Sequence, residues 1–238
     1  MKSDILERGC QLLNLSITEK QEEQFMQYYE LLVEWNKVMN LTGIKGIDEV
    51  MRKHFLDSLS IVKAIEKKDM LRVLDLGTGA GFPGIPLKIM FPEWDIVLLD
   101  SLNKRIKFLN EVIGQLGLQK ISTIHGRAED FARKEEYREK FDLVVSRAVA
   151  NLSSLSEYCL PYVKQQGIFV SYKASDVEEE VREAKKAVTV LGGNLEKTVE
   201  FQLPDTDIDR TLLVIQKIKK TPGKYPRKAG LPSKEPIR

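Results

Sequence analysis

The sequence predicts an α/β fold: a parallel sheet with helices on both faces, closed by a C-terminal antiparallel hairpin and preceded by an N-terminal helical segment. Three observations predict it. Helical periodicity runs through the first 70 residues and stops at RVLDLG. From residue 71, short apolar runs alternate with helix-like stretches, the pattern of repeated β-α-β units with right-handed crossovers. Near the C-terminus, LEKTVEFQLP and DRTLLVIQKI follow each other across a short turn with no helix between them, so they are expected to pair antiparallel.

The elements follow in order. In ITEKQEEQFMQYYELLVEWNKVMNLTG, Thr18 is a candidate N-cap with Gln21 at the capping-box spacing. Phe25, Tyr28, Tyr29, Leu32 and Trp35 recur at three- and four-residue steps as one apolar stripe, which reads as core, and Gly43 is expected to break the helix. A shorter helical stretch is expected over 48–66. RVLDLG, DIVLLD (95–100), KISTIHG (120–126), FDLVVSRAVA (141–150) and GIFVSYKA (167–174) read as strands. Residues 101–117 read as a helix with Ser101 as candidate N-cap and Gly117 as candidate C-cap. NLSSLSEYCLPYV and SDVEEEVREAKKAVTVLGG are helices, the second with an acidic first turn that suits the helix dipole. The expected organisation is a helical segment over 1–70 packed on a main domain over 71–217, then a basic, proline-rich tail over 218–238.

Composition excludes several classes. With 42% hydrophobic and 30% charged residues the chain is globular rather than disordered. No apolar run approaches the length of a membrane span, and Asp4, Glu7 and Arg8 interrupt any signal-peptide core. Cys10 and Cys159 form neither a CxxC pair nor a disulfide framework, and a reducing cytoplasm is expected. With only His54 and His125 besides, no metal site is expected. The net charge of +2 hides an asymmetry: residues 217–238 carry eight Lys/Arg against Glu235 alone, which leaves −5 on the other 216. Four of the nine prolines lie in that segment, so it is expected to be extended or irregular and to reach a polyanion.

The chemistry concentrates at LDLGTGAGFPGIP (74–86), which follows a strand and opens a helix. Gly77, Gly79 and Gly81 allow close backbone approach to a ligand, Pro83 suits a first helical turn, and open N–H groups there would attract an anion. The string also fits GxGxxG, a dinucleotide signature that is weak alone. Asp100 ends the second strand, where a carboxylate can accept from both hydroxyls of a ribose; the bland alternative is a helix cap. Gly126-Arg127-Ala128-Glu129 follows the third strand, where an adenine ring would lie, and Arg147 comes near the end of the fourth, either at the ligand or paired with a core carboxylate. All four elements fall on the carboxyl edge of a parallel sheet, where ligands bind.

The pattern Asp75-Leu-Gly77-Thr-Gly79-Ala-Gly81 looks like the first motif of S-adenosylmethionine-dependent methyltransferases. Over essentially the whole chain, the sequence resembles the glucose-inhibited division protein B family, bacterial 16S rRNA guanine-N7 methyltransferases. The matching stretches are LVEWNKVMNLT (32–42), KHFLDSL (53–59), VLDLGTGAGFPGIPLKI (73–89), DSLNKRIKFL (100–109), GRAED (126–130), RAVA (147–150) and KYPRKAGLPSKEPI (224–237). One departure is Ala229, where the family usually has Pro. The resemblance implies a Rossmann-like methyltransferase sheet, S-adenosyl-L-methionine as cofactor, and cofactor contacts from Gly77, Phe82, Ala128, Glu129 and Arg147, to which the motif reading adds Asp75, Gly79 and Asp100. It also implies 16S rRNA or the small ribosomal subunit as partner; with no membrane span and a reducing cytoplasm expected from composition, the expectation is a cytoplasmic monomer that meets no membrane.

Guanine N7 carries a lone pair at neutral pH, so methyl transfer there needs no general base and no catalytic His or Cys is expected. Cys159 reads as core. His54 reads as scaffold bonded to Asp57, the alternative being a lining of the guanine pocket, and His125 reads as structural. Three other readings compete. A small-molecule methyltransferase would not need the basic tail. Asp75 and the closing hairpin argue against an NAD-dependent dehydrogenase. A non-enzymatic RNA-binding protein would show no methyl transfer. The tail is expected to serve RNA and to leave cofactor affinity untouched.

Overall fold

A computed structural model describes residues 4–44, 46–66, 69–147, 149–174 and 177–238. Ala148, within the fourth expected strand, and Ser175 and Asp176, at the head of the acidic helix, lie outside the described residues. Helix α1 (Asp4–Leu12) and helix α2 (Glu19–Met39) open the chain. The capping box forms: Thr18 Oγ1 accepts from Gln21 N at 3.3 Å, and Gln21 Oε1 accepts from Thr18 N at 2.9 Å. Gln21 Nε2 also donates to the carbonyl of Ile89 at 2.9 Å, so the cap that starts α2 ties it to the domain behind. The stripe packs as expected, with Phe25, Tyr28 and Leu32 buried and Tyr29 and Trp35 partly so. Helix α2 ends earlier than Gly43 suggests. Asn40 adopts the left-handed conformation at φ 48° and terminates it, because Asn tolerates that region.

The stretch expected as one helix over 48–66 is four short pieces: α3 (Ile47–Val50), a π-helical turn (Met51–Leu56), α4 (Asp57–Leu59) and a 3₁₀ turn (Ser60–Lys63). A π turn shifts side chains off the 3.6-residue period, which is why periodicity misread it.

The remaining elements are β1 (Arg72–Leu76), α5 (Gly84–Met90), β2 (Asp95–Asp100), α6 (Asn103–Gln115), β3 (Ile121–His125), α7 (Ala128–Phe131), β4 (Phe141–Arg147), α8 (Leu152–Cys159), β5 (Val163–Lys173), α9 (Glu178–Val190), β6 (Gly193–Gln202), β7 (Asp209–Lys217) and α10 (Leu231–Lys234). They build a seven-stranded sheet in the order β3-β2-β1-β4-β5-β7-β6. The first five strands pair parallel, and β7 enters antiparallel between β5 and β6. The expected hairpin is therefore present, but its second strand is the inner one. LLVI of β7 is continuously buried, whereas β6 alternates as an edge strand does.

Two cores flank the sheet. Val73 faces one, with α1, α2, α5, α6 and the 47–63 segment, and Leu74 and Leu76 face the other, with α7, α8 and α9. Cys159 is fully buried in the second core, as its helical spacing implied.

The C-terminal segment departs from expectation, since it packs against the body. Lys217 is buried and donates to the carbonyls of Leu160 (2.6 Å) and Val163 (3.1 Å). Arg138 donates to the carbonyls of Thr221 (2.9 Å) and Tyr225 (3.0 Å). Arg227 grips the fully buried carboxylate of Glu157, Nη2 to Oε2 at 2.8 Å and Nε to Oε1 at 3.0 Å. Composition registered the charges and prolines but not these partners.

Candidate active site

The carboxyl ends of the parallel strands enclose a cavity of about 370 Å³, a size suited to a nucleoside-containing ligand. Leu76 and Gly77 line it at the end of β1, Leu99, Asp100 and Ser101 at the end of β2, Gly126 and Arg127 from the loop after β3, Ala128 and Glu129 from the start of α7, and Val149 and Ala150 from the loop after β4. Arg105, Tyr158 and Ser233 complete the lining.

Asp100 organises the site. It is buried, and its Oδ2 accepts from Gly79 N at 3.0 Å and from Arg105 Nη1 at 3.1 Å. Its Oδ1 accepts from Leu102 N at 2.9 Å, so Asp100 rather than Ser101 braces the entry to α6, which begins at Asn103. The carboxylate thus holds the glycine loop and the helix entry together while still lining the cavity. A carboxylate oxygen has two lone-pair directions, and capacity remains for a ligand hydroxyl.

Gly77 stands at φ 70°, and a Cβ on it would lie 2.5 Å from Val149 Cγ2, another lining atom. The loop therefore needs glycine both for conformation and for closeness. Behind the loop, Asp75 is fully buried. Its Oδ2 accepts from Thr78 Oγ1 at 2.6 Å and from Gly84 N at 2.8 Å. The anion expected at the α5 N-terminus is thus the chain's own Asp75. Pro83 stands just before the first residue of α5, not within its first turn. Asp75 Oδ1 has no hydrogen-bond partner, and burial pushes the carboxyl pKa up to about 7 against the bonds from Thr78 and Gly84.

A second cluster packs against the loop. Phe82 stacks on His54 with centroids 4.4 Å apart, and the Arg147 guanidinium lies 5.0 Å from the Phe82 ring. Arg147 Nη1 pairs with buried Asp57 at 2.7 Å, and Arg210 Nε reaches the same carboxylate at 3.0 Å. His54 does not bond Asp57. Its Nδ1 faces Arg147 Nη2 at 3.2 Å and its Nε2 faces Thr42 Oγ1 at 2.8 Å. A guanidinium only donates, so Nδ1 accepts and the proton sits on Nε2. Burial, together with the Arg147 charge, drives the His54 pKa down to about 3. Asn36 makes both amide bonds to Thr42, at 2.9 Å each, and holds the loop that carries it. His125 is exposed at the end of β3, 3.2 Å from the carbonyl of Ser101.

Of the residues singled out in the sequence, Gly77, Asp100, Ala128 and Glu129 line the cavity. Asp75 and Gly79 shape it from behind, while Phe82 and Arg147 belong to the adjoining cluster. Sequence reasoning missed Arg105, Tyr158, Ser233 and Arg210, and it gave Asp57 the wrong partner, His54 in place of Arg147 and Arg210. Arg105 carried a signal, five residues after Asp100 in DSLNKR; the pairing of Arg210 with Asp57, 153 residues apart, carried none. Glu129, itself buried, accepts from Gly230 N at 2.8 Å, so the C-terminal segment reaches the site it was expected to leave alone.

The residues fit S-adenosylmethionine. A buried carboxylate with acceptor capacity left for a ribose hydroxyl lines the cavity, a backbone cradle admits close approach, and a small Ala128 beside Glu129 leaves room for a flat base. Among solved structures, the chain superposes on NSun6 from Pyrococcus horikoshii with a TM-score of 0.56 at 14% identity, covering 69% of this chain and 52% of that one. It superposes on TrmN from Thermus thermophilus with a TM-score of 0.53 at 14% identity, covering 68% and 48%. These likenesses establish the fold. In sequence, the chain is 56% identical over 230 residues to the ribosomal RNA small subunit methyltransferase G of Lachnoclostridium phytofermentans, covering 97% of this chain and 95% of that protein. It is 54% identical to the protein of the same name from Desulforamulus reducens, covering 98% and 97%. The family model described as GidB, rRNA small subunit methyltransferase G, matches residues 21–211. With that match over most of its length, and with a nucleoside-sized cavity at the carboxyl edge of its sheet, the chain belongs to the GidB family of rRNA small subunit methyltransferases.

Proposed function

We propose that this protein transfers a methyl group from S-adenosylmethionine to N7 of a guanine in 16S rRNA, acting as a cytoplasmic monomer. The observation that carries the reading is Asp100, a buried carboxylate that holds the glycine loop through Gly79 N and faces the cavity. When bound, the cofactor supplies an electrophilic methyl on a sulfonium. Asp100 would accept from its ribose, Gly77 would admit its close approach, and Ala128 and Glu129 would border its base. Asp75 and Gly79 set the loop from behind. Phe82 and Arg147 pack together with His54 beside the loop.

No residue here needs to take a proton. His54 is neutral through the physiological range, since burial holds its pKa near 3. Alignment of acceptor and methyl within the rigid loop supplies the acceleration, an effect worth up to about 7–11 kcal/mol. The helical segment 1–70, the main domain 71–217 and the segment 218–238 are read as one working unit. Six of the eight cations in 217–238, namely Lys219, Lys220, Lys224, Lys228, Lys234 and Arg238, are exposed and offer the phosphate backbone a surface. Incubation with labelled S-adenosylmethionine and 16S rRNA or small subunits, followed by mapping, tests the reading. Label at guanine N7 of 16S rRNA is the expected result, and label elsewhere or none overturns it.

A further inference from the structure

The cavity has a wall that the parallel sheet does not supply. Ser233, on α10, lines it together with Tyr158 of α8. Three residues earlier, Gly230 N donates to Glu129, the acid at the base-binding end. The segment is latched on both sides of that contact. Arg227 is bonded to Glu157, whose carboxylate is completely buried, and the Pro232 carbonyl accepts from buried Ser154 Oγ at 2.7 Å. An extended tail bound to nothing would need none of these partners, and a buried acid such as Glu157 would be costly without Arg227.

We propose that the C-terminal segment 227–235 is an integral wall of the cofactor site, with Ser233 and Tyr158 bordering the adenine end and the Arg227–Glu157 pair as the latch that holds them there. This rests on the cofactor reading above. It reverses the division of labour that the charge pattern suggests. The segment closes on the cofactor with one face while Lys228 and Lys234 stay exposed on it. Cofactor affinity is therefore coupled to whatever holds or displaces the segment.

The test titrates S-adenosylhomocysteine calorimetrically into the full chain and into Ser233→Trp, Arg227→Gln and Asp100→Ala, with melting temperatures taken without ligand. Ser233 is exposed, so a larger side chain there leaves the core alone and fills the adenine end. Ser233→Trp is expected to melt as wild type and to bind about tenfold or more weakly. Arg227→Gln is expected to weaken binding as well and, in methylation assays, to raise the KM for S-adenosylmethionine while kcat at saturation is kept. If Arg227→Gln also melts low, Ser233→Trp decides. Wild-type affinity in Ser233→Trp alongside lost affinity in Asp100→Ala would overturn the wall while leaving the cofactor site standing. Wild-type affinity in Asp100→Ala would overturn the cofactor reading, and the wall with it.

Discussion

Asp100 shows how one carboxylate can be structural and functional at once. Its bonds to Gly79 N and Leu102 N tie the glycine loop to the start of α6. Asp100→Ala should weaken cofactor binding by about 1.5–3 kcal/mol, the scale of a hydrogen bond to a charged group, measured calorimetrically with S-adenosylhomocysteine. Two titratable residues beside the loop, Asp75 fully buried and His54 half-buried, act on stability in opposite senses. The Asp75 pKa rises from 3.8 to about 7 in the fold, so its contribution is complete below about pH 4 and is lost as pH rises through 7. The His54 pKa falls from 6.5 to about 3, so its contribution is complete above pH 6.5 and is lost as pH falls toward 3. Asp75→Asn should therefore gain on wild type in melting temperature between pH 4 and pH 8, because the amide keeps an acceptor for Thr78 and Gly84 without a charge to desolvate. His54→Gln should leave the pH–rate profile between pH 6 and 9 unchanged, because the imidazole is already neutral there. A lost titration limb would reveal a general base.

At the scale of elements, the glycine loop and α5 form one unit. A Cβ on Gly84 would collide with Leu98 Cδ2 and lie 2.8 Å from Asp75 Oδ2, which seats α5 directly on β1 and β2. Gly84→Ala should cost about 1–3 kcal/mol by overpacking and disturb Asp75, read as a lower urea midpoint. The Asp57 cluster joins three elements: β4 through Arg147, β7 through Arg210, and the 47–63 segment that carries Asp57 itself. Arg147→Met removes one of two cations from a carboxylate that is 3% exposed, and about 3 kcal/mol of stability should go with it, measured by urea unfolding. Charge alone would predict a smaller effect.

Across the whole molecule, the C-terminal segment links charge to architecture. Lys217 and Arg227 are spent on internal partners, and six exposed cations remain. Replacing Lys219, Lys220, Lys224, Lys228 and Lys234 with Gln should leave the melting temperature almost unchanged. The salt dependence of rRNA binding should flatten by about 0.7–0.9 log units per log salt for each phosphate that is no longer neutralised. Truncation is a different experiment, since it removes the packing as well as the charge. A charge-neutralised chain with an unchanged salt slope would refute an electrostatic role for these lysines.

Local chemistry determined much of this protein. A capping box, a strand-loop-helix glycine motif, alternating apolar runs and two adjacent strands specify elements through near neighbours, and they were legible as letters. So was the placement of Gly77, Asp100, Ala128 and Glu129 at one edge, because consecutive parallel strands all present the same end. What only the tertiary structure decided depends on residues distant in sequence. The inner position of β7, the partner of His54, the sharing of Asp57 by Arg147 and Arg210, and the docking of residues 227–235 on Glu157 and Glu129 are of this kind. A lysine-rich, proline-rich tail reads as solvated because composition registers its charges but not the buried carboxylates that meet them. Burial makes such pairs obligatory, and burial is a property of the folded chain.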